Sequence, residues 1–258
     1  MPSVSRIAVI AHGQADVADA VERVKRLAQE RGIDVVEDSP DLAVVLGGDG
    51  TMLRTLKRFL GAAVPVIGVN YGRVGFLASM GKDDLEEGLA RAFAGEFETV
   101  ELPTLEVELG GERHPAVNDV VAHSGVLGRM VELSWAVAGE DLGTVPCDGL
   151  ICSTPSGSTA YNLSGGGPVL VWGLDAMAVT FVAPHSLHVR PLVVPRSREL
   201  KVTNLTSGVE VALIADGQQV GSMAEGDSIR VGLTDRASLL ATLPESTFFR
   251  RYRETFAH

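Results

Sequence analysis

In VVLGGDGTMLRTLKRF, Val44 to Phe59, an apolar β-branched run breaks at Gly47-Gly48-Asp49-Gly50-Thr51 and resumes with helical spacing. A strand that runs through glycines into a helix gathers backbone N–H groups at the helix N-terminus, where they attract an anion. Gly47, Gly48, Gly50 and Thr51 are therefore candidates to hold phosphate. The turn is not a Walker A loop, because no lysine follows the last glycine until Lys57. Nor is it Gly-x-Gly-x-x-Gly, since the sixth position counted from Gly48 is Leu53. A carboxylate near phosphates is repelled unless a metal or a proton transfer gives it a purpose. Asp49 is on these grounds a metal-linked residue or a general base, whereas a plain helix N-cap would need no chemistry.

The second concentration is CDGLICSTPSGSTAYNLSGGGP, Cys147 to Pro168. Ser153, Thr154, Ser156, Ser158, Thr159, Tyr161, Asn162 and Ser164 supply hydroxyl and amide groups at a density that suits a ligand rich in hydroxyls and ring nitrogens. A serine hydrolase is disfavoured, because Gly-x-Ser-x-Gly is absent and no His/Asp pair can be placed beside Ser156. AVNDVVAH sets Asn118 and Asp119 side by side in a strand pattern, where neighbours face opposite sides unless the chain bends. IADGQQVG predicts a hairpin turn at Asp216-Gly217. Arg54 and Arg129 could hold phosphate or be solvated surface groups. His185 and His188 lack neighbouring acidic or cysteine ligands, which favours turn and packing roles over metal binding.

These groups need elements to position them. RIAVIA, Arg6 to Ala11, is a buried strand pattern, and Val17, Ala20, Val21, Val24, Leu27 and Ala28 share one helical face that ends at Gly32. Strands at Ile33 to Val36, Leu42 to Leu46 and Val64 to Val69 alternate with helices beginning near Thr51 and Asp83, which implies a parallel sheet. Ligands gather at the carboxyl ends of such strands, here the loops at Gly47 to Gly50 and Asn70 to Gly75. After Phe97 the pattern becomes short, β-rich and punctuated by turns, so residues 98–243 are expected to form a mainly antiparallel region of stacked sheets. The α/β domain is then residues 1–97, completed by 244–258, where Ser246 to Phe256 predicts a short returning helix.

The chain has 258 residues, 45% of them apolar, enough for one large or two modest cores. Its formal net charge of -11 argues against a general nucleic-acid or anionic-membrane binder. No stretch reaches the roughly 20 apolar residues that a membrane helix needs. Two cysteines, Cys147 and Cys152, are too few for a disulfide framework, and a cytoplasmic protein is expected.

Taken together, the motifs closely resemble the NAD kinase family. The resemblance is carried by Gly47-Gly48-Asp49-Gly50-Thr51, GVNYGRVGFLA from Gly68, Asn118-Asp119, DGLICSTPSGSTAYNLSGGGP from Asp148, PHSLHVRPLV from Pro184 and Asp216-Gly217-Gln218. The glycine motif alone is shared in related forms by lipid kinases and phosphofructokinases; the long motif from Asp148 singles out NAD kinases. The resemblance implies a Rossmann-like α/β domain with a β-rich C-terminal domain, substrate between them, in a homodimer or homotetramer. It implies transfer of the γ-phosphate of ATP, brought with Mg²⁺ and without direct protein ligation of the metal, to the 2′-hydroxyl of the adenosine ribose of NAD. Asp49 would be the general base, with Gly50 beside it. Asn118 and Asp119 would bind the adenosine part; Asp148 and Thr159, Ala160, Tyr161, Asn162, Leu163 and Ser164 would line the pocket, with Tyr161 stacking. Arg54, Arg129 and Gln218 fall at further substrate contacts. Pro146, where family members often carry a basic residue, Tyr71 and Ser156 depart from the pattern. A diacylglycerol-type lipid kinase and a non-catalytic dinucleotide sensor are the competing readings.

Overall fold

A computed structural model describes residues 4–12, 15–72 and 75–257. The chain divides into two units, Met1–Glu101 with Ala237–His258, and Leu102–Arg236. The first unit opens with β1 (Arg6–Ala11), α1 (Ala15–Glu30), β2 (Asp34–Val35), β3 (Leu42–Gly47), α2 (Asp49–Arg58), β4 (Pro65–Asn70), β5 (Met80–Gly81) and α3 (Leu85–Phe93). All five strands pair in parallel, in the order β5-β4-β3-β1-β2. β3 is central and buried at all six positions, which explains its unbroken apolar run. The stripe Val17, Ala20, Val24, Leu27 and Ala28 of α1 is buried in the core that holds Leu42, Val44 and Leu46. α1 stops before Gly32, whose φ of 65° lies in the left-handed region that glycine adopts without strain.

The second unit is built of strands. β6 (Glu98–Leu109), β7 (Glu112–Ala116), β8 (Asp119–Ser124), β9 (Val131–Val137), β10 (Glu140–Cys147) and β11 (Gly149–Ser153) lead to a single helical turn, α4 (Tyr161–Ser164). Then follow β12 (Ala176–Val182), β13 (Leu192–Pro195), β14 (Leu200–Asn204), β15 (Val211–Ala215), β16 (Gln218–Met223) and β17 (Ser228–Thr242). One antiparallel sheet runs β13-β12-β11-β8-β15-β16. In the other, β10, β9, β14 and the first part of β17 pair in that order, and β6 pairs with β7 and β17. Val120, Leu150, Met177 and Leu213 from the first sheet share one core with Leu105, Leu133, Val202 and Val231 from the second. There the rings of Trp135 and Phe181 meet edge to face at 5.3 Å.

From Ala237 the end of β17 belongs to the first unit and runs parallel to β4, Leu239 opposite Pro65 and Leu240 opposite Val66. The chain closes with α5 (Phe248–Phe256), where Thr247 Oγ1 accepts from the Arg250 N–H at 3.2 Å as an N-cap. The unit boundaries fall at 101/102 and 236/237, not at the 97/98 and 243/244 read from composition. Both lie inside long strands, β6 and β17, where no turn residue marks a change.

The Asp216-Gly217 dipeptide forms a two-residue hairpin turn between β15 and β16, with Ala215 paired to Gln218. Asp216 at φ 52° and Gly217 at φ 76° give the turn in which both central residues are left-handed. Gly217→Val puts a β-branched residue in that region and is expected to lower the unfolding free energy by about 1–3 kcal/mol, read by urea denaturation.

Candidate functional site

In the first unit the site is built where β3 gives way to α2. Gly48 is the N-cap in extended conformation, and its carbonyl accepts from the N–H groups of Thr51 (2.9 Å) and Met52 (3.1 Å). No side chain caps this helix, and helix geometry gives the N–H groups of Asp49 and Gly50 no intrahelical acceptor. They face the position where the macrodipole favours an anion. The following loop is tied alongside: the Tyr71 N–H donates to Gly47 O (3.1 Å), and the Gly72 N–H to Asn70 Oδ1 (2.9 Å). Arg54, one turn into α2, donates to Thr51 Oγ1 at 3.3 Å.

Asp49 is the first residue of α2, not its N-cap. Its carboxylate turns away from the helix and accepts two consecutive backbone N–H groups, Phe76 to Oδ2 (2.7 Å) and Leu77 to Oδ1 (3.1 Å). A side chain at Gly75 would overlap that carboxylate, so glycine there is a steric requirement. Behind the loop lies Arg251 of α5, a residue that sequence reasoning missed. It is 7% exposed and donates to Phe76 O (2.8 Å), to Ala78 O and, through Nε, to Ser246 O (3.2 Å). The available signal was its spacing: Arg251 falls three residues after buried Phe248, on the inward stripe of the helix.

In the second unit the chain bends at Val117 and Asn118 before β8 begins. Asp216, read from sequence only as a turn former, causes the bend to hold: its carboxylate accepts the N–H groups of Asn118 (2.8 Å) and Val117 (3.0 Å). From the other side Thr154 Oγ1 donates to Val117 O (2.6 Å), and the Thr154 N–H donates to Asn118 O (2.9 Å). Gly157 sits against the Asn118 carbonyl with no room for a Cβ. This leaves Asn118 Oδ1 buried with no hydrogen-bond partner among the described residues. Asp119, 7% exposed, has no salt-bridge partner among them either. Burial, and then the neighbouring charge of Asp216, push its carboxyl up to about 7. Two adjacent side chains that can accept hydrogen bonds are thus desolvated.

The hydroxyl-rich stretch needs a correction. Ser153, Thr154, Ser156 and Ser158 are buried, and their hydroxyls serve the backbone, not an open pocket. Ser156 Oγ donates to Val117 O (3.0 Å); Ser158 Oγ donates to Pro155 O (2.7 Å) and accepts from the Leu170 N–H (2.9 Å). Asn162 is fully buried: its amide donates to Ser158 O and Pro168 O, and its Oδ1 accepts from Thr180 Oγ1 at 2.7 Å. What the segment leaves accessible is Thr159 and Ala160, half-buried, and Tyr161, Leu163 and Ser164, exposed. Asp148 is half-buried at the start of β11, its N–H donating to Val182 O at 3.0 Å. The carbonyl of Pro146 accepts from the His185 backbone N–H at 2.8 Å, while the side chains of His185 and His188 are exposed, so the packing role expected of them is not seen. Arg129 lies in an exposed turn, and Gln218 is exposed directly after the hairpin that carries Asp216. No group of three or more His, Cys, Asp or Glu side chains gathers among the described residues. Cys147 and Cys152 are buried free thiols; burial pushes Cys147 up to about 12 and Cys152 up as well, so neither is a nucleophile.

Residues 7–97 match the family model described as the ATP-NAD kinase N-terminal domain, and residues 117–242 the ATP-NAD kinase C-terminal domain. The NAD kinase of Gemmatimonas aurantiaca is 37% identical over 248 residues, covering 93% of this chain and 83% of the relative. That of Heliobacterium modesticaldum is 42% identical over 219 residues, 83% and 77% of the two chains. Among solved structures, an NAD kinase from Archaeoglobus fulgidus in complex with ATP superposes with a TM-score of 0.80 at 26% identity, covering 98% of this chain and 97% of that one. Yeast NADH kinase complexed with NADH gives 0.90 at 22% identity, covering 99% and 88%, a likeness of fold.

The raised Asp119 carboxyl has a measurable sign. Between its ordinary value of 3.8 and about 7 the folded chain holds a proton that the unfolded chain has lost. Its contribution to stability therefore falls as pH rises through that window. Asp119→Asn removes the dependence. The stability of the variant relative to the parent is expected to grow by on the order of a few kcal/mol from pH 4 to pH 7, in urea titrations without nucleotide.

Proposed function

The chain belongs to the NAD kinase family, and from that membership we propose how its residues carry out the reaction. NAD and ATP are its substrates. In the proposed step the 2′-hydroxyl of the adenosine ribose gives its proton to Asp49 while its oxygen bonds to the γ-phosphorus of ATP. The bond from that phosphorus to the bridging oxygen breaks, and ADP leaves with the electron pair, so NADP is formed and the proton is accounted for.

One observation supports this most: the Asp49 carboxylate is fixed by the Phe76 and Leu77 N–H groups at the N-terminus of α2, where the helix attracts phosphate. A carboxylate there repels the nucleotide unless it has work to do, and proton abstraction is that work. Each of its oxygens accepts one N–H, which leaves lone pairs for a hydroxyl. Phosphoryl transfer is governed by positioning and by neutralised charge, and the α2 amides supply part of both. Gly47, Gly48, Gly50 and Thr51 are assigned to the ATP phosphates, and Arg54 to a substrate phosphate.

For NAD, the buried Asn118 Oδ1 is assigned as an acceptor for adenosine, and Asp119 accepts from ribose hydroxyls. A hydroxyl donor would favour the charged form of Asp119 that burial opposes. Tyr161 stacks on a ring of the substrate, and Asp148, Thr159, Ala160, Leu163, Ser164, Arg129 and Gln218 complete the contacts. Asn162 contributes by bracing this segment through its three internal hydrogen bonds.

Mg²⁺ is part of the proposal. The donors at hand fit a metal carried on the nucleotide, since no cluster of three potential ligands that could hold one forms among the described residues. Bound with ATP, it neutralises phosphate charge. A cytoplasmic setting accords with two buried free thiols. No helix among the described residues is long and apolar enough to cross a membrane. Assembly as a homodimer or homotetramer belongs to the same reading and is measured by light scattering.

Neither the lipid kinase nor the silent sensor reading is favoured by the relatives described above, which are named as NAD or NADH kinases. Asp49→Asn is expected to fold normally and to lose about 10²- to 10⁴-fold in kcat for NADP formation. Turnover near the parent's would sink the assignment of the base. Product analysis with NAD and NADH against ATP and polyphosphate fixes the acceptor and the donor.

A further inference from the structure

Arg251 takes no part in the chemistry just proposed, yet it is a buried arginine two contacts from the base. Each functional group of Phe76 is spoken for. Its N–H donates to Asp49 Oδ2, its carbonyl accepts from Arg251, and its ring packs against Phe248 at 5.5 Å and Phe256 at 6.1 Å. The last three partners lie on α5. The same guanidinium holds Ala78 O, so it spans the carbonyls on either side of Leu77, whose N–H is the second donor to Asp49. Through Nε it also binds Ser246 O, at the approach to α5.

We propose that Arg251 is a positioning residue for Asp49: by gripping the carbonyls of Phe76 and Ala78 it aims two successive N–H groups at the carboxylate that takes the ribose proton. This rests on the reading of Asp49 as the general base.

Two observations set this apart from simple packing. The loop has other ties to the same unit: Ser79 Oγ donates to Ala241 O (2.8 Å) and Ser246 Oγ donates to Ser79 O (2.7 Å). With those bonds and the Phe76 ring contacts, anchoring α5 does not require a cation. Burial also makes the cation expensive, pushing the guanidinium down to about 10, and the charge that most opposes this fall is Asp49. The loop, the base and the arginine are one electrostatic unit. An arginine suits the task because its planar fork presents several donors in fixed directions, whereas a lysine ammonium is a point donor on a flexible stem.

The test is a double-mutant cycle on NADP formation at saturating NAD and ATP. Arg251→Gln is expected to lower kcat by about 10²-fold, the scale of a misplacement near 1 Å. KM for both substrates should change far less than kcat, because, of the assigned substrate contacts, only the ribose hydroxyl meets Asp49. Arg251→Lys, which keeps the charge and loses the fork, is expected to recover only part of the loss, leaving kcat about tenfold below the parent's. In the Asp49→Asn background the Arg251 substitutions should change the residual turnover by less than about twofold, since the group they act through is gone. The same fractional loss in both backgrounds, a change in KM alone, or parent-like kcat in Arg251→Gln would each overturn the proposal. Should Arg251→Gln fail to fold, Arg251→Lys decides in the same way: a loss confined to the Asp49 background supports positioning, and parent-like kcat refutes it. Asp49→Asn alone separates the two readings. If that variant keeps full turnover the base assignment fails, and if it is dead while Arg251 is inert only the positioning fails.

Discussion

The arrangement at Asp49 depends on one constraint: a carboxylate at a helix N-terminus must be held off the helix. Left to itself it would cap the free N–H groups of α2 and occupy the place where an anion is to bind. The Phe76 and Leu77 N–H groups prevent this by offering better-placed donors from outside the helix. The demand then passes outward. The donors need a loop of fixed shape, that loop needs Gly75 to make room, and its carbonyls need the buried guanidinium of Arg251. The acid keeps its direction in this glycine turn through a loop that the C-terminal helix, returning to this unit, holds by its carbonyls.

The second unit uses the same device with the roles exchanged. Asp216 accepts the N–H groups of Val117 and Asn118, again two in succession, but here the carboxylate is the holder and the loop carries the functional groups. The holder is fixed by a left-handed turn, and the loop is closed from the far side by Thr154 and Ser156 hydroxyls. Satisfying those backbone groups internally leaves Asn118 Oδ1 without a hydrogen-bond partner and Asp119 without a salt-bridge partner among the described residues. Their unused hydrogen-bonding capacity is therefore a consequence of how completely the backbone around them is paired.

Much of this was legible in the sequence, and what was not has a physical cause. β1 begins and ends where its apolar run does, and Gly32 stops α1, because period and glycine chemistry act within a few residues. The glycine turn disclosed its acid because a carboxylate among phosphate-binding glycines conflicts with local electrostatics. The hydroxyls of Ser153, Thr154, Ser156 and Ser158 misled for the opposite reason: a hydroxyl donates equally well to a ligand or to a carbonyl, and only the fold decides. The carbonyls that Thr154 and Ser156 serve, at Val117 and Asn118, are more than thirty residues away. Arg251 was hidden likewise, since one arginine on an amphipathic helix reads as solvated until its neighbours are known. The domain limits were displaced because β6 and β17 run through them without a turn.

Buried charge is the common cost of this design. Asp119 and Arg251 are each displaced from their ordinary protonation behaviour by burial, and in both cases the charge with the largest effect is a carboxylate of the candidate site, Asp216 or Asp49. Apolar side chains of similar volume would pack such positions at lower cost. Retaining the charges makes sense only if what they buy lies outside folding: acceptors that keep their hydrogen-bonding capacity dry until a substrate arrives, and a base whose direction is set before ATP binds. Preorganised polar groups act more strongly in such surroundings than in water, because no solvent has to turn when the proton moves. On the proposed reading stability and catalysis draw on the same residues, and charges that burial penalises, Asp119 and Arg251, are among the groups assigned to the reaction.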